Sequence, residues 1–556
     1  MNSGLWRWLL VFTPFIVACH STQKPPESDI VEAPEQFDVR VSRNIKAALD
    51  FVLDNRGRLN DTVVLAKDTI VNNLYKSRNW QPIWCGQEAW SPLGDSLYNF
   101  IRHAERYGLF PADYHYRALS GIRNLIATDS NALRDAALWS RADLMLTDAF
   151  FQICRHLNQG RLDYDSVTLR KDTVLGEEFY RKAFDSLVHY RNVATVFHQL
   201  EPKHSGYTAL KEALGKFIDS VGSFRRHTYI AWPNKDSAAL YAALQRRLFE
   251  EDYVLSPSDS MTAEEWKQAI SQYQKSKGLK ETGKLNAATI QTLNFTDWEK
   301  FKRVAITLDR YRLLPDTLPT TYIWVNIPSY NLQVVDSGKV VLESRVIVGS
   351  PRTRTPLLTS SVSNFITYPQ WTVPYSIIFK EMLPQIKKDV NYLAKQNLMV
   401  VDKNDSIIHP DSINWHRLNK KNFPYLLKQR QGDDNSLGVL KFNFPNKYSV
   451  YLHDTNARWL FNQANRALSH GCVRVKEFQK LADFLVRNDT IRYHPDTLRN
   501  WIKRQEKHVV SGFARVPIFI RYFSTEGREG RLVFYDDIYG EDKALRDRYY
   551  ADKAIL

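Results

Sequence analysis

Near Trp298 the spacing of apolar side chains changes, and with it what the chain can fold into. Before that point the spacing is mainly helical: Leu144, Asp148, Phe151 and Arg155, for example, lie three or four apart in a segment free of Gly and Pro. After it, short β-rich runs at 322–327 and 331–335 flank Pro328-Ser329-Tyr330, and Asp336-Ser337-Gly338-Lys339 turns into a third run at 340–348. Closely spaced strands predict an antiparallel domain. A length of 556 residues predicts roughly two to four domains. The expected fold is multidomain α+β: a helical scaffold at 44–230, a three-helix unit at 236–296 and a mainly antiparallel β domain at 300–500. A Lys-rich helical stretch interrupts the strands, so 379–438 is expected to be an inserted cap over an active site. Residues 501–556 are expected to pack on the scaffold or the β domain.

The N-terminus decides the compartment. Arg7 is the only charge before an apolar run, Trp8 to Ala18, that ends at Cys19. Eleven residues are too few to span a bilayer, which needs about 20, so 1–19 reads as a cleaved export signal. Ile16-Val17-Ala18-Cys19 resembles a bacterial lipobox, which would make Cys19 a lipidation site. An ordinary signal peptide with a fortuitous cysteine, and a soluble periplasmic protein, is the alternative. Residues 20–43 begin with a proline-containing polar stretch suited to a tether. The expected location is the periplasmic side of the cell envelope, membrane-anchored, so nucleic acid is a poor partner for the +15 charge. A solvated surface, or attraction to anionic phospholipid or acidic wall polymer, explains it instead. Four cysteines exclude a disulfide-built scaffold and a multi-cysteine zinc cluster; whether Cys85 and Cys154 pair is left to geometry.

Two motifs of the helical region, 79–84 (NWQPIW) and 158–163 (NQGRLD), bring together no acid, base and nucleophile and read as packing and a loop glycine. In the three-helix unit, Leu240, Leu244 and Leu248 mark one helix, Trp266, Ile270 and Tyr273 a second that stops at Gly278, and Asn286 caps a third. The order Gln274, Gly278-Leu279, Gly283, Leu293-Asn294 resembles the peptidoglycan-binding domain attached to many cell-wall enzymes.

Chemistry concentrates at 451–475, YLHDTNARWLFNQANRALSHGCVRV. A thiol nucleophile needs a base, oxyanion donors and a bend that presents it. Cys472 follows Gly471, and the surrounding Ser469, His470 and Arg474 make a polar, cationic setting expected to stabilise a thiolate. His453 and His470 are both candidate bases. Spacing favours His453, which sits on a separate element, without excluding His470. A metal site at His453, His470 and Cys472 lacks a fourth ligand.

SHGCVR, with HDTN nineteen residues before the cysteine, resembles the signature of L,D-transpeptidases with a YkuD catalytic domain. Segments 348–356 (VGSPRTRTP), 368–374 (YPQWTVP), 437–442 (LGVLKF), 444–446 (FPN) and 537–540 (DIYG) resemble the large periplasmic subgroup typified by YcbB. Tyr368 in place of the usual Asn, Gly432-Asp433-Asp434-Asn435 without the usual Pro-Gly, and the Cys19 lipid site depart from that pattern. The resemblance implies a peptidoglycan stem peptide as substrate, Cys472 as nucleophile and His453 as general acid and base. It implies oxyanion donors at Gly471 and Cys472, and loop-shaping or carboxylate-holding roles for Ser469, His470 and Arg474. Tyr451, Trp371 and Asn456 are groove candidates. It further implies a 3→3 cross-link made through a thioester with release of D-alanine, no cofactor, no metal, sensitivity to carbapenems and a monomer. A carboxypeptidase at the same site and a silent wall-binding lipoprotein are the alternatives.

Overall fold

The computed structural model describes residues 24–163, 175–489 and 491–553. The export signal 1–19 and Cys19 lie outside these residues.

The scaffold is built around helix Ala136–Gln159, buried on nearly every side, with Ser140, Asp143, Thr147, Asp148 and His156 buried among its apolar residues. Asp135 caps it, accepting the N–H groups of Ala137 (2.9 Å) and Leu138 (3.2 Å). The 79–84 motif is packing, as expected. Buried Asp143 accepts the N–H groups of Ile83 (3.0 Å) and Trp84 (2.7 Å), and the Trp84 indole donates to Thr147 (2.8 Å). Gly160 ends the long helix at φ +70°, and a Cβ there would stand 2.9 Å from the Asp309 carboxylate.

Asp309 belongs to an element that the strand reading overlooks. Residues after Trp298 do not turn directly to strands: Asp297–Arg312 is a helix capped by Thr296. Trp298, Phe301, Ala305 and Leu308 form its buried stripe, at helical spacing, packed with Phe110, Tyr207 and Leu210 of the scaffold. The scaffold therefore includes a helix placed beyond the intervening three-helix unit.

That unit has the expected helices, Ser237–Phe249, Ala263–Ser276 and Ala287–Asn294. Fully buried Gln274 explains its motif. The Gln274 amide oxygen accepts the N–H groups of Thr282 (2.7 Å) and Gly283 (3.1 Å), and its NH2 donates to Lys284 O (3.0 Å) and Thr289 Oγ1 (2.9 Å), tying turn to helices.

In the β domain the strands run in the order Lys339–Gly349, Val473–Val475, Leu452–His453, Leu440–Asn443, Leu358–Thr367, Val509–Arg521, Thr321–Asn326, Asn331–Asp336. The last pairs again with Lys339–Gly349, so the ring of hydrogen bonds closes and leaves few free edges. Ala467–Ser469 adds to Lys339–Gly349 in parallel. Most pairings are antiparallel, as expected. The expected domain end at 500 does not hold, because Val509–Arg521 lies in mid-sheet between Leu358–Thr367 and Thr321–Asn326. A register shift between Ser511 and Val516, followed by Pro517, hides this strand from a period-2 reading. The rest of the C-terminal segment packs on the scaffold through Leu532, Phe534 and Tyr550.

The cap starts earlier than 379. Strand Trp371–Thr372 pairs with Leu426–Gln429, which pairs with Leu398–Val401, and short helices between Tyr375 and Lys395 cover this small sheet. Its own core contains Val373, Ile378, Ile386, Leu393, Trp415 and Leu427.

Candidate functional site

The site is a row of side chains across three neighbouring strands. Phe442, Leu452 and Val473 pair across these strands and are wholly buried in the barrel core. Side chains alternate along a strand, so the residues between them face away from that core. Lys441 pairs with His453, and His453 with Arg474, giving a cation–imidazole–cation row. One step along, Val473 N–H donates to Tyr451 O (3.1 Å), which sets Cys472 beside Tyr451. The Tyr451 ring lies 5.6 Å from the His453 ring, and Lys441 Nζ sits 4.2 Å above the Tyr451 ring.

The turn bearing Cys472 is held from below. Ser469 Oγ donates to Cys472 O (2.6 Å) and accepts Gly471 N–H (3.1 Å). Gly471 is at φ +120°, a conformation that only glycine adopts without strain. Thr355 Oγ1 donates to Gly471 O (2.8 Å), and Thr353 Oγ1 to Ser469 O (2.9 Å). The Tyr539 hydroxyl donates to Gly349 O (2.6 Å) and accepts Thr355 N–H (3.1 Å). The separate motifs at 348–356, 469–474 and 537–540 thus form one cradle.

Several expected roles change. The Gly471 N–H is engaged with Ser469 Oγ, leaving the Cys472 N–H, which has no acceptor among the described residues, as the available oxyanion donor. His470 is exposed and binds Glu381 of the cap, Nε2 to Oε1, at 2.9 Å, so it ties the cap to the turn. Asn456 is also exposed and donates to Asp434 O (3.0 Å), bracing the cap's return segment rather than lining the groove. Tyr451 and Trp371 do converge on the thiol: the Tyr451 phenol contacts both Cys472 and the Trp371 indole.

The thiol is not in a setting that favours its charge. Burial pushes the half-buried Cys472 thiol up, and the opposing influences of Tyr451, Lys441 and Arg474 are weaker. Burial, then the Arg474 charge and Lys441, lower His453 to about 3, against the pull of the Asp454 and Leu437 backbone. The resting pair is a thiol and a neutral imidazole, where the sequence suggested a stabilised thiolate. The adjacent Asp454 carboxylate does not orient His453, being held by Arg458 (2.6 Å and 3.0 Å) and Val439 N–H (3.0 Å).

Lys441 and Ser449 are site residues that sequence reasoning missed. Lys441 has no ion pair among the described residues, and burial lowers its pKa. Ser449, at φ +56°, aims its carbonyl at Cys472 Sγ, 3.9 Å away. The strand position of Lys441 opposite His453 could have flagged it; nothing in the sequence marks Ser449. Cys85 and Cys154 are buried and free. Among the described residues no cluster of His, Cys, Asp and Glu could hold a metal ion.

The model for the L,D-transpeptidase catalytic domain, YkuD, matches residues 320–493. Residues 320–493 are a YkuD-family L,D-transpeptidase catalytic domain. The "Putative peptidoglycan binding domain" model matches 237–293 and a scaffold-domain model matches 69–214, both preceding the L,D-transpeptidase domain in the chain. A "Putative L,D-transpeptidase" of Haemophilus influenzae is 38% identical over 245 residues, 44% of this chain and 49% of that protein. The chain spans about half the length of this relative. Two solved structures are also similar. The "Ldtfm-avibactam carbamoyl enzyme" has 14% identity and TM-score 0.17, covering 39% of this chain and 61% of that one. The L,D-transpeptidase of Xylanimonas cellulosilytica has 13% identity and TM-score 0.14, covering 54% of this chain and 98% of that one.

Proposed function

We propose that the protein is an L,D-transpeptidase that makes 3→3 peptidoglycan cross-links through a thioester on Cys472. The observation that carries this reading is the uncompensated row Lys441–His453–Arg474 beside a thiol held on a positive-φ turn. Neutral His453 takes the thiol proton as Sγ attacks the carbonyl of the third stem residue. The oxyanion forms at the Cys472 N–H. The C–N bond to the terminal D-alanine breaks as His453 returns the proton to the leaving amine. A side-chain amine of a second stem then attacks the thioester, giving the amide and restoring the thiol. Arg474 and Lys441, lacking protein anions, suit the stem's carboxylates.

The same reading puts the chain in the envelope, held by lipid on Cys19, on the strength of residues 7–35 alone. The test is incubation with disaccharide-tetrapeptides and mass analysis of products. A 3→3 dimer plus D-alanine, lost in Cys472→Ala, is expected. Tripeptide alone would make the site a carboxypeptidase, and no product with sacculus binding retained would make the chain a scaffold.

A further inference from the structure

A cavity of about 610 Å³ lies where the three-helix unit, the linker before it, helix Asp297–Arg312 and the C-terminal segment meet. None of its lining residues belongs to the Cys472 site. Its volume falls in the range of ordinary ligand sites.

The charges around it are not balanced. Glu299 is shared by Lys302 (2.8 Å) and Arg546 (3.0 Å), and Glu250 accepts the N–H (2.8 Å) and hydroxyl (2.6 Å) of Thr228. Glu250 and Glu299 are thus engaged and the third carboxylate, Asp552, is exposed, whereas the guanidinium groups of Arg226 and Arg246 on the rim have no ion pair or hydrogen bond among the described residues. His227 lines the same space with a buried Nδ1 that has no partner among the described residues. Lys302, 2% exposed and paired with Glu299, lies at the floor, so the lining holds five cations, Arg226, Arg246, Lys302, Arg546 and Lys553, against three carboxylates. A half-enclosed space with surplus positive charge and an orphaned nitrogen fits an anion, and two guanidinium groups on one rim favour a planar carboxylate.

We propose that this cavity is a second peptidoglycan subsite, taking a carboxylate of a stem peptide through Arg226 and Arg246. The inference rests on the transpeptidase reading and deepens it, because Arg246 and Glu250 come from the 237–293 region that matches a peptidoglycan-binding domain. The wall polymer is then gripped at a point separate from the reacting thiol.

The full chain is sedimented with purified sacculi, with sacculi whose carboxylates have been amidated, and with phosphatidylglycerol vesicles. Arg226→Ala/Arg246→Ala should bind sacculi about tenfold more weakly than wild type, Arg226→Lys/Arg246→Lys should recover part of the loss, and wild type should lose a similar factor on amidated sacculi. Both arginines are exposed, so an unchanged unfolding midpoint is expected and shows that the fold survives. Equal binding by wild type and the double alanine variant, or unaltered binding to amidated sacculi, overturns the subsite. Vesicle binding lost in the same proportion overturns it in favour of a membrane-facing patch. If wild type does not sediment with sacculi, the wall-binding reading itself fails, which is a different result from failure of the cavity alone.

Discussion

Cys472 and His453 sit where burial raises the cost of charge on either, so the pair rests neutral, and under the proposed mechanism it ionises only as Cys472 attacks. This separates the two histidines. His453→Ala should lower acyl-transfer rate by about 10²–10⁴-fold. His470→Ala, which removes an exposed tether to Glu381 worth about 0.2–1 kcal/mol, should cost less than about tenfold. Single-turnover acylation followed by intact mass reads both, and the reverse order would transfer the base to His470. Burial of His453 also has a pH signature. Its folded pKa of about 3 lies below its ordinary value of 6.5, so between those values the unfolded chain binds a proton that the folded chain refuses. Stability therefore falls as pH drops through that window. His453→Gln should lose about 3 kcal/mol less than wild type between pH 7 and pH 4 in urea unfolding.

At the scale of elements, the two cap departures noted in the sequence prove to be one feature. The Tyr368 hydroxyl donates to Asp433 (2.5 Å), and Gln431 donates to Tyr368 O (2.8 Å), joining the entry and exit of the cap. Tyr368 itself is at φ +45°, so the entry bends sharply there. A double-mutant cycle of Tyr368→Phe and Asp433→Ala should show a coupling of about 1 kcal/mol, measured by denaturant unfolding; additive effects would mean that the contact does not clasp the cap. The cap was legible as an interruption of the strand pattern, but its start at Trp371 was not, because a two-residue strand carries no periodicity.

Across the whole molecule, Asp309 joins parts distant in sequence. Fully buried, it pairs with Arg312 (2.6 Å), receives the Arg161 N–H (3.3 Å) and accepts the Tyr550 hydroxyl. Asp309→Ala leaves the buried guanidinium groups of Arg161 and Arg312 without this carboxylate and should cost about 3–5 kcal/mol of stability by thermal or denaturant unfolding. Truncation after residue 508 removes a mid-sheet strand and should leave the β domain unfolded by near-UV circular dichroism, whereas an independent C-terminal segment would be dispensable.

The sequence by itself pointed to the catalytic family and to the broad division into domains. A thiol after glycine, a histidine on its own strand and the switch of apolar period are local patterns, and local patterns survive without a partner. Only tertiary structure decided that Lys441 stands beside His453, that Gly471 spends its N–H on Ser469, and that Val509–Arg521 completes the barrel. Those facts depend on strand register and on which chain segments are brought together, and register is set by cross-strand pairing that no single stretch of sequence contains. The charge follows the same rule: +15 is a property of the sequence, whereas the placement of Arg226 and Arg246 around one cavity is a property of the fold.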